Sequence, residues 1–561
     1  MRKIIILAVV LLAVGAFFVQ RRLNVDIDPA AFLAADTLIY VDQHQAAARG
    51  QRFLASPLGK AVASIDLPGL LRDLGAPVDV QANVEKTLGD FQELTKNKIT
   101  AELLGDRFAV AMLPRRDWMG KPGALPDPRR QLVLLCKPRH GATAIDLLSS
   151  MFSGDLKTES IPYGKYSLKR FKNDQISFVA CAVDGWLVAA FEERALRESL
   201  DIFDAGNASL AGSEKFRKVT ASLAGKEQIV YLSLNGLVSF AKDAVTNIPA
   251  KDQADLAGLF SIEPGLDAFA YGSQVQGDIL QERMLISLVP ERASEVTRAF
   301  LATPPQKDAF LPHLRDNLLF YSYTNFTDWS ELGHLNAQNR AMVEAFSGHS
   351  LDELQKMLGN GPSRLFVRKG EGGQIPLPLV NFCVAAAAPE KLGEIASSLL
   401  AKTGIEMSKG KFQDASYQVW SQAPEQNMRF YSALWRDQWC VGNSLDFFKE
   451  IAEPSPKEAS LLTAKDFKVV GDGISQPAQS LMYIRVDQSL DLLHDAFGAL
   501  ATLLGVEDKE LPAKMRLINE RLIFPLLDGA KMYKRSFSHG AVENNMLRID
   551  SKTSMVPQER Q

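Results

Sequence analysis

The side chains best suited to acid–base work near neutral pH, or to holding a metal, are His44, His140, His313, His334, His349, His494 and His539. None is spaced from a second histidine and a glutamate so as to set zinc ligands on one helix face, and each reads as a surface or loop histidine. A serine nucleophile on a sharp strand-to-helix turn usually carries glycine two positions to either side, and that spacing is absent. Gly-Lys occurs at 59–60, 164–165 and 225–226 without the Ser or Thr that completes a phosphate-cradling loop. Cys136, Cys181, Cys383 and Cys440 each lie in an apolar, strand-like run, and no two are two residues apart, which disfavours dithiol redox chemistry and zinc knuckles. An even count permits disulfides in an oxidising compartment, but the setting reads as four buried free thiols. The sequence therefore offers no catalytic residue, no metal ligand set and no cofactor motif, and reads as a non-enzyme.

One loop could still do binding chemistry. Pro114-Arg115-Arg116-Asp117-Trp118-Met119-Gly120-Lys121 is basic and glycine-bearing, as is Arg368-Lys369-Gly370-Glu371-Gly372-Gly373 further on. The plain reading is a solvated hairpin tip. The functional one has Arg115, Arg116 and Lys121 meeting anionic headgroups while Trp118 and Met119 enter the membrane interface. Apolar runs such as Leu132-Val133-Leu134-Leu135 and 177–182 fit burial in a core, or a cavity for an acyl chain.

The elements that would position these residues belong to a chain of 561 residues, too long for one hydrophobic core. Its composition is that of folded protein, 46% apolar and 23% charged. A net charge of -3 lacks the positive excess that phosphate backbones demand, which argues against nucleic acid. Arg2 and Lys3 precede an uncharged run from Ile4 to Val19, and Arg21 and Arg22 close it. That pattern predicts a signal anchor or signal peptide over residues 1–23, with retention favoured because the run stays apolar through Phe17-Phe18-Val19. The expected location is the inner membrane, single-pass, with the bulk of the chain in the periplasm or an equivalent extracytoplasmic space.

A set of landmarks then occurs twice in the same order. Asp36-Thr37-Leu38-Ile39-Tyr40 returns as Asp316-Asn317-Leu318-Leu319-Phe320, and Leu104-Gly105-Asp106-Arg107-Phe108 as Leu358-Gly359-Asn360 with Arg364-Leu365-Phe366. Strands through Cys136 and Cys383 are each followed by a proline and a helix-like stretch, at 141–152 and 389–403. Phe178–Val183, Asp184-Gly185 and Trp186-Leu187-Val188 parallel Phe430–Arg436, Asp437-Gln438 and Trp439-Cys440-Val441. Ile229–Ala244 parallels Leu481–Ala496, and the landmarks at 266–285 recur at 527–547. A fixed order with drifting offsets is the signature of duplication. Thr303-Pro304-Pro305 marks the junction, giving copies over 24–304 and 305–552 and a flexible tail over 553–561. Asp184-Gly185 predicts a type I′ hairpin turn, whereas Gln438 implies a different turn in the second copy. Strands in consecutive hairpins with helices after them predict an α+β fold: two tandem curved antiparallel sheets packed with helices, after the N-terminal transmembrane helix.

The opening Ala35–Val41, the Leu104–Val110 strand, Val183-Asp184-Gly185-Trp186-Leu187-Val188 with the helix around Leu196, and Ser209-Leu210 before Phe216 resemble an uncharacterised family of membrane-anchored bacterial envelope proteins. The similarity covers most of 35–300, and the second copy follows more loosely. It implies fold and location and transfers no site residue. The expected role is a non-catalytic envelope module that binds a partner protein or supports an assembly, with a carrier or sensor of lipid as the alternative and a hydrolase third.

Overall fold

The computed structural model describes residues 27–96, 105–114, 127–138, 157–173, 177–206, 208–245, 263–329, 337–370, 377–401, 406–421, 430–503 and 511–557, with Glu102 and Arg116. The expected anchor at 1–23, the helix expected at 141–152 and four of the five loop residues, Arg115, Trp118, Met119 and Lys121, lie outside them. No helix among the described residues is long and apolar enough to cross a membrane.

The fold is α+β, built on antiparallel pairing, and the chain divides into two compact units: Met1–Val275 with Glu282–Ser294, and Gln276–Gln281 with Glu295–Gln561. In the first unit, β1 (Ile39–His44) is followed by α1 (Ala46–Ala55), α2 (Pro57–Ser64), α3 (Leu67–Asp73) and α4 (Val78–Lys96). The strands β2 (Arg107–Met112), β3 (Leu132–Lys137), β4 (Lys157–Tyr163), β5 (Tyr166–Lys172), β6 (Ser177–Val183) and β7 (Trp186–Ala190) come next. Then follow α5 (Glu193–Ala205), α6 (Glu214–Thr220), β8 (Gln228–Ser233), α7 (Leu234–Val245), β9 (Leu266–Gln276) and β10 (Ile279–Leu288). The sheet order is β4-β5-β6-β7-β3-β2-β1-β8-β9, with β10 beside β9.

The strands form where the sequence is β-branched or aromatic, and their burial follows their place. Central β7 (Trp-Leu-Val-Ala-Ala) is buried at every position, so both of its faces are covered. Edge strand β4 is exposed at its first four positions and carries Lys157 and Pro162, which blunt an open edge.

The second unit contains α8 (Glu295–Ala302), β11 (Leu318–Thr324), α9 (Ala337–Ser347), α10 (Leu351–Leu358), β12 (Ser363–Arg368), β13 (Leu379–Val384) and α11 (Pro389–Ala401). It continues with β14 (Glu406–Phe412), β15 (Ala415–Ser421), β16 (Phe430–Trp435), β17 (Gln438–Gly442), α12 (Leu445–Ala452) and β18 (Ser480–Arg485). It ends with α13 (Val486–Leu503), α14 (Leu511–Ile518), α15 (Phe524–Ala530), β19 (Tyr533–Glu543) and β20 (Met546–Met555). Its order is β14-β15-β16-β17-β13-β12-β11-β18-β19-β20. The last strand runs to Met555 and so takes in the first three residues of the expected tail, 553–555.

The two ladders agree rung by rung. Tyr40 faces Ala111 and Tyr231, and Tyr321 faces Phe366 and Tyr483. Counting pairs outward from these tyrosines, both ladders reach the next turns at the same rung: Val183 opposite Trp186 and Trp435 opposite Gln438, then Tyr163 opposite Tyr166 and Phe412 opposite Ala415. This corrects one expectation. Gln438 is a strand residue, and the second turn is made by Arg436 and Asp437, at φ 49° and 60°, as the first is made by Asp184 and Gly185, at φ 47° and 82°. Both turns hold positive φ at two central residues, the geometry that suits the strand twist. A non-glycine pair holds the second, so its sequence did not announce it.

Candidate functional site

A markedly apolar pocket belongs to the second unit. Ser350 and Glu353 form a reciprocal capping box that starts α10, and Gly348 at φ 73° ends α9 and reverses the chain between them. Leu351, Leu354 and Leu358 then recur at helical spacing along one face of α10. α11 packs on β16 and β17 and also meets α9 and α10, so three helices surround a space of about 350 Å³. Met342 and Val343 of α9, Leu354 of α10, Ile395 and Ala396 of α11 and Trp439 of β17 face it. The cavity adjoins a buried cluster of Leu358, Val384 and Leu392.

Its lining has almost no polar capacity to offer. The Ser347 hydroxyl donates to the His349 carbonyl at 3.0 Å, and Trp439 Nε1 donates to Ser432 Oγ at 2.9 Å. No titratable group lines it. Such a space can hold apolar matter by dispersion and exclusion of water, and it cannot polarise or protonate anything. The apolar space lies between helices, with one sheet residue, and the runs on β3 and β6 that could have lined a cavity are largely buried core.

The charged clusters are closed. In the first unit Arg107 grips buried Asp42, with Nε at 3.0 Å from Oδ1 and 3.2 Å from Oδ2. Burial raises the Asp42 pKa, but hydrogen bonds from His44 and Arg107 prevail and hold it below the usual value. In the second unit Arg364 Nε donates to Asp308 Oδ1 at 2.7 Å, and the buried Tyr321 hydroxyl donates to the same carboxylate. Neither cluster leaves a proton or a nucleophile to use. A third arrangement superficially suits catalysis: Lys215 Nζ lies 3.1 Å from Ser233 Oγ. Burial lowers the Lys215 pKa, but Asp267 at 3.1 Å supports its charge, and Ser233 itself donates to Asn235 Oδ1 at 3.1 Å. Lys215, Asp267, Ser233 and Asn235 thus form one hydrogen-bonded ion-pair network. Among the described residues no group of His, Cys, Asp and Glu could hold a metal ion.

Of the loop residues named from sequence, Arg116 is described, and its guanidinium is spent on two carboxylates: Asp36 at 2.8 Å and Glu198 at 2.8 Å. The Arg116 hydrogen bond lowers the Asp36 pKa.

Two expectations about reactive side chains are corrected. His313 is buried, with 2% of its surface exposed, between the rings of Phe310 and Trp435 at 5.8 and 5.5 Å. It sits in a short 3₁₀ turn that the core closes over, and burial with the nearby Arg436 charge depresses its pKa. Cys383 and Cys440 form a disulfide, because β13 and β17 place them directly opposite each other with Cα atoms 4.1 Å apart. Cys136 and Cys181 are buried free thiols, and burial pushes both pKa values up to about 12.

No family model and no curated protein matches the chain. Two solved structures of TP0453 are similar to it: crystal form III, with a TM-score of 0.25 and 8% identity over 47% of this chain and 80% of that one, and crystal form IV, with 0.24 and 10% over 47% and 81%. Scores this low carry no argument about function.

Proposed function

We propose that this chain is a non-catalytic protein of the bacterial envelope that carries or senses a hydrophobic ligand, with the space between α9, α10 and α11 as its binding site. The observation that carries the reading is a pocket of about 350 Å³ with an apolar lining and no unspent polar group. That volume is at the small end of the ~300–1,000 Å³ typical of small-molecule sites, and suits one acyl tail better than a protein helix. The apolar lining of this pocket, bounded by three helices, favours this reading over the interaction module expected first from the sequence. The Cys383–Cys440 disulfide supports an oxidising compartment, and the apolar segment at 4–19 supports attachment to the inner membrane. The shared strand order and matching rungs support two copies of one ancestral unit, as in the envelope family the sequence resembles.

Native mass spectrometry of the full chain, released gently from host membranes, tests the site. A reproducible added mass in the lipid range is expected, and Ala396→Phe, which fills the space, removes it. A bare mass for the unaltered protein, or an adduct that survives Ala396→Phe, overturns the assignment.

A further inference from the structure

The first unit presents a second feature that the ligand pocket does not use. α1 and α2 follow β1 as a helical pair, and α2 meets the end of α1 closely: a Cβ at Gly59 would lie 1.8 Å from the Phe53 carbonyl oxygen. α1 has no buried residue. Phe53, Leu54 and Val62 are 46%, 49% and 45% exposed, although the bulk of the unit's large apolar side chains are in its core. Residues 46–65 hold Arg49, Arg52 and Lys60 and no acidic residue. Arg49 turns inward toward Gln228 Oε1 at 3.5 Å, Arg52 is partly offset by Glu227 at 3.2 Å, and Lys60 is exposed. A short basic helix pair with apolar side chains in water is a poor solution for a solvated face, and a good one for the boundary between headgroups and acyl chains.

The chain's entry point says which surface is near. Asp28 lies 3.5 Å from Arg107 Nη2, and Arg107 is the ladder partner of His44 at the end of β1. α1 begins at that same end, where the Gln45 amide donates to the Asp106 carbonyl at 2.7 Å. Residues 20–27 separate the apolar run that ends at Val19 from Asp28, and fully extended they reach at most roughly 29 Å. An anchored chain therefore holds this end of the sheet, with α1 and α2, beside the bilayer. Arg116 pairs with Asp36 before the opposite end of β1, where Ile39 faces Met112, so the basic loop expected to meet lipid leaves from the far end.

We propose that α1 and α2 dock on the surface of the anchoring membrane, with Phe53, Leu54 and Val62 entering the interface and Arg52 and Lys60 contacting anionic headgroups. This rests on the anchored reading and is independent of the ligand pocket. The test uses the full chain carrying Leu54→Cys with a nitroxide label, reconstituted in vesicles containing one quarter phosphatidylglycerol or in phosphatidylcholine alone. Cys136 and Cys181 are buried, which directs the label to position 54. In anionic vesicles the label is expected to collide with dissolved oxygen in preference to a water-soluble nickel chelate. In neutral vesicles, or with Lys60→Glu added, that preference falls at least several-fold. A label that stays aqueous in anionic vesicles, or one whose depth ignores headgroup charge, overturns the proposal. Flotation of the same samples reports anchoring separately, so a chain that fails to float indicts the anchor and not the helix pair.

Discussion

Replacing Arg364 by methionine should cost the second unit about 3–5 kcal/mol, the range for breaking a buried ion pair from one side. The Arg364 and Asp308 side chains are 4% and 0% exposed, so neither can turn to water when its partner is removed. In Arg364→Met the Asp308 carboxylate keeps the Phe310 amide at 3.1 Å and the Tyr321 hydroxyl, but no positive charge remains against it. The guanidinium also lies over the rings of Phe310 and Tyr323, at 4.1 and 5.1 Å to their centres, and that stacking goes with it. At ~2–4 °C per kcal/mol for a domain of comparable size, the calorimetric transition of this unit should fall by roughly 6–20 °C. Adding Asp308→Asn should recover much of the loss, because the amide oxygen can accept from the Phe310 amide, the amide nitrogen can donate to the Tyr321 oxygen, and no charge is buried. A transition in Arg364→Met within about 2 °C of the parent would refute the reasoning, as would a double variant no more stable than the single one.

Three other measurements bear on the structure. Converting Cys383 and Cys440 together to serine should lower stability by up to about 4 kcal/mol, from the chain-entropy relation for a sequence separation of 57, read by denaturant titration. His313 is neutral and buried with a lowered pKa, so the unfolded chain takes up its proton first: stability should be fully present above the unfolded value of ~6.5 and decline as pH falls below it, and His313→Gln should flatten that part of a pH series of melting temperatures. Gly105→Ala should lose about 1–3 kcal/mol in a thermal melt, since φ is +42° and a Cβ would meet the Lys137 carbonyl oxygen at 2.1 Å.

The strands were legible wherever alternation or a continuous apolar run met a turn signal: Phe178–Val183 lies in β6, Trp186-Leu187-Val188 opens β7, and Asp184-Gly185 is the turn between them. The hairpins β4–β5 and β14–β15 were not anticipated, because edge strands β4 and β14 carry charged and polar residues in place of an apolar alternation. The Cys383–Cys440 bond depends on ladder register across 57 residues of separation, which no local pattern encodes. His313 could not be told from a loop histidine, since its burial comes from Phe310 and Trp435 folding over it. The pocket was half visible. Ser350 with Glu353 and the spacing of Leu351, Leu354 and Leu358 mark an amphipathic helix, but whether its apolar face closes on a core or on a space is decided by α9 and α11.

The position of β1 has a consequence for how the chain is made. It is the first strand among the described residues, yet it is a central strand, and its two neighbours arrive at very different times. β2 pairs with it after a modest interval, whereas Ile39 must wait for Leu232, a delay of about 190 residues. At ~5–20 residues per second of synthesis this is roughly 10–40 s during which one edge of the nascent sheet is open, and the later unit repeats the delay between Phe320 and Ile484. Folding speed is therefore governed by contacts distant in sequence, and the interval before β8 emerges is when a holding chaperone would matter most and when aggregation through the open edge is most dangerous.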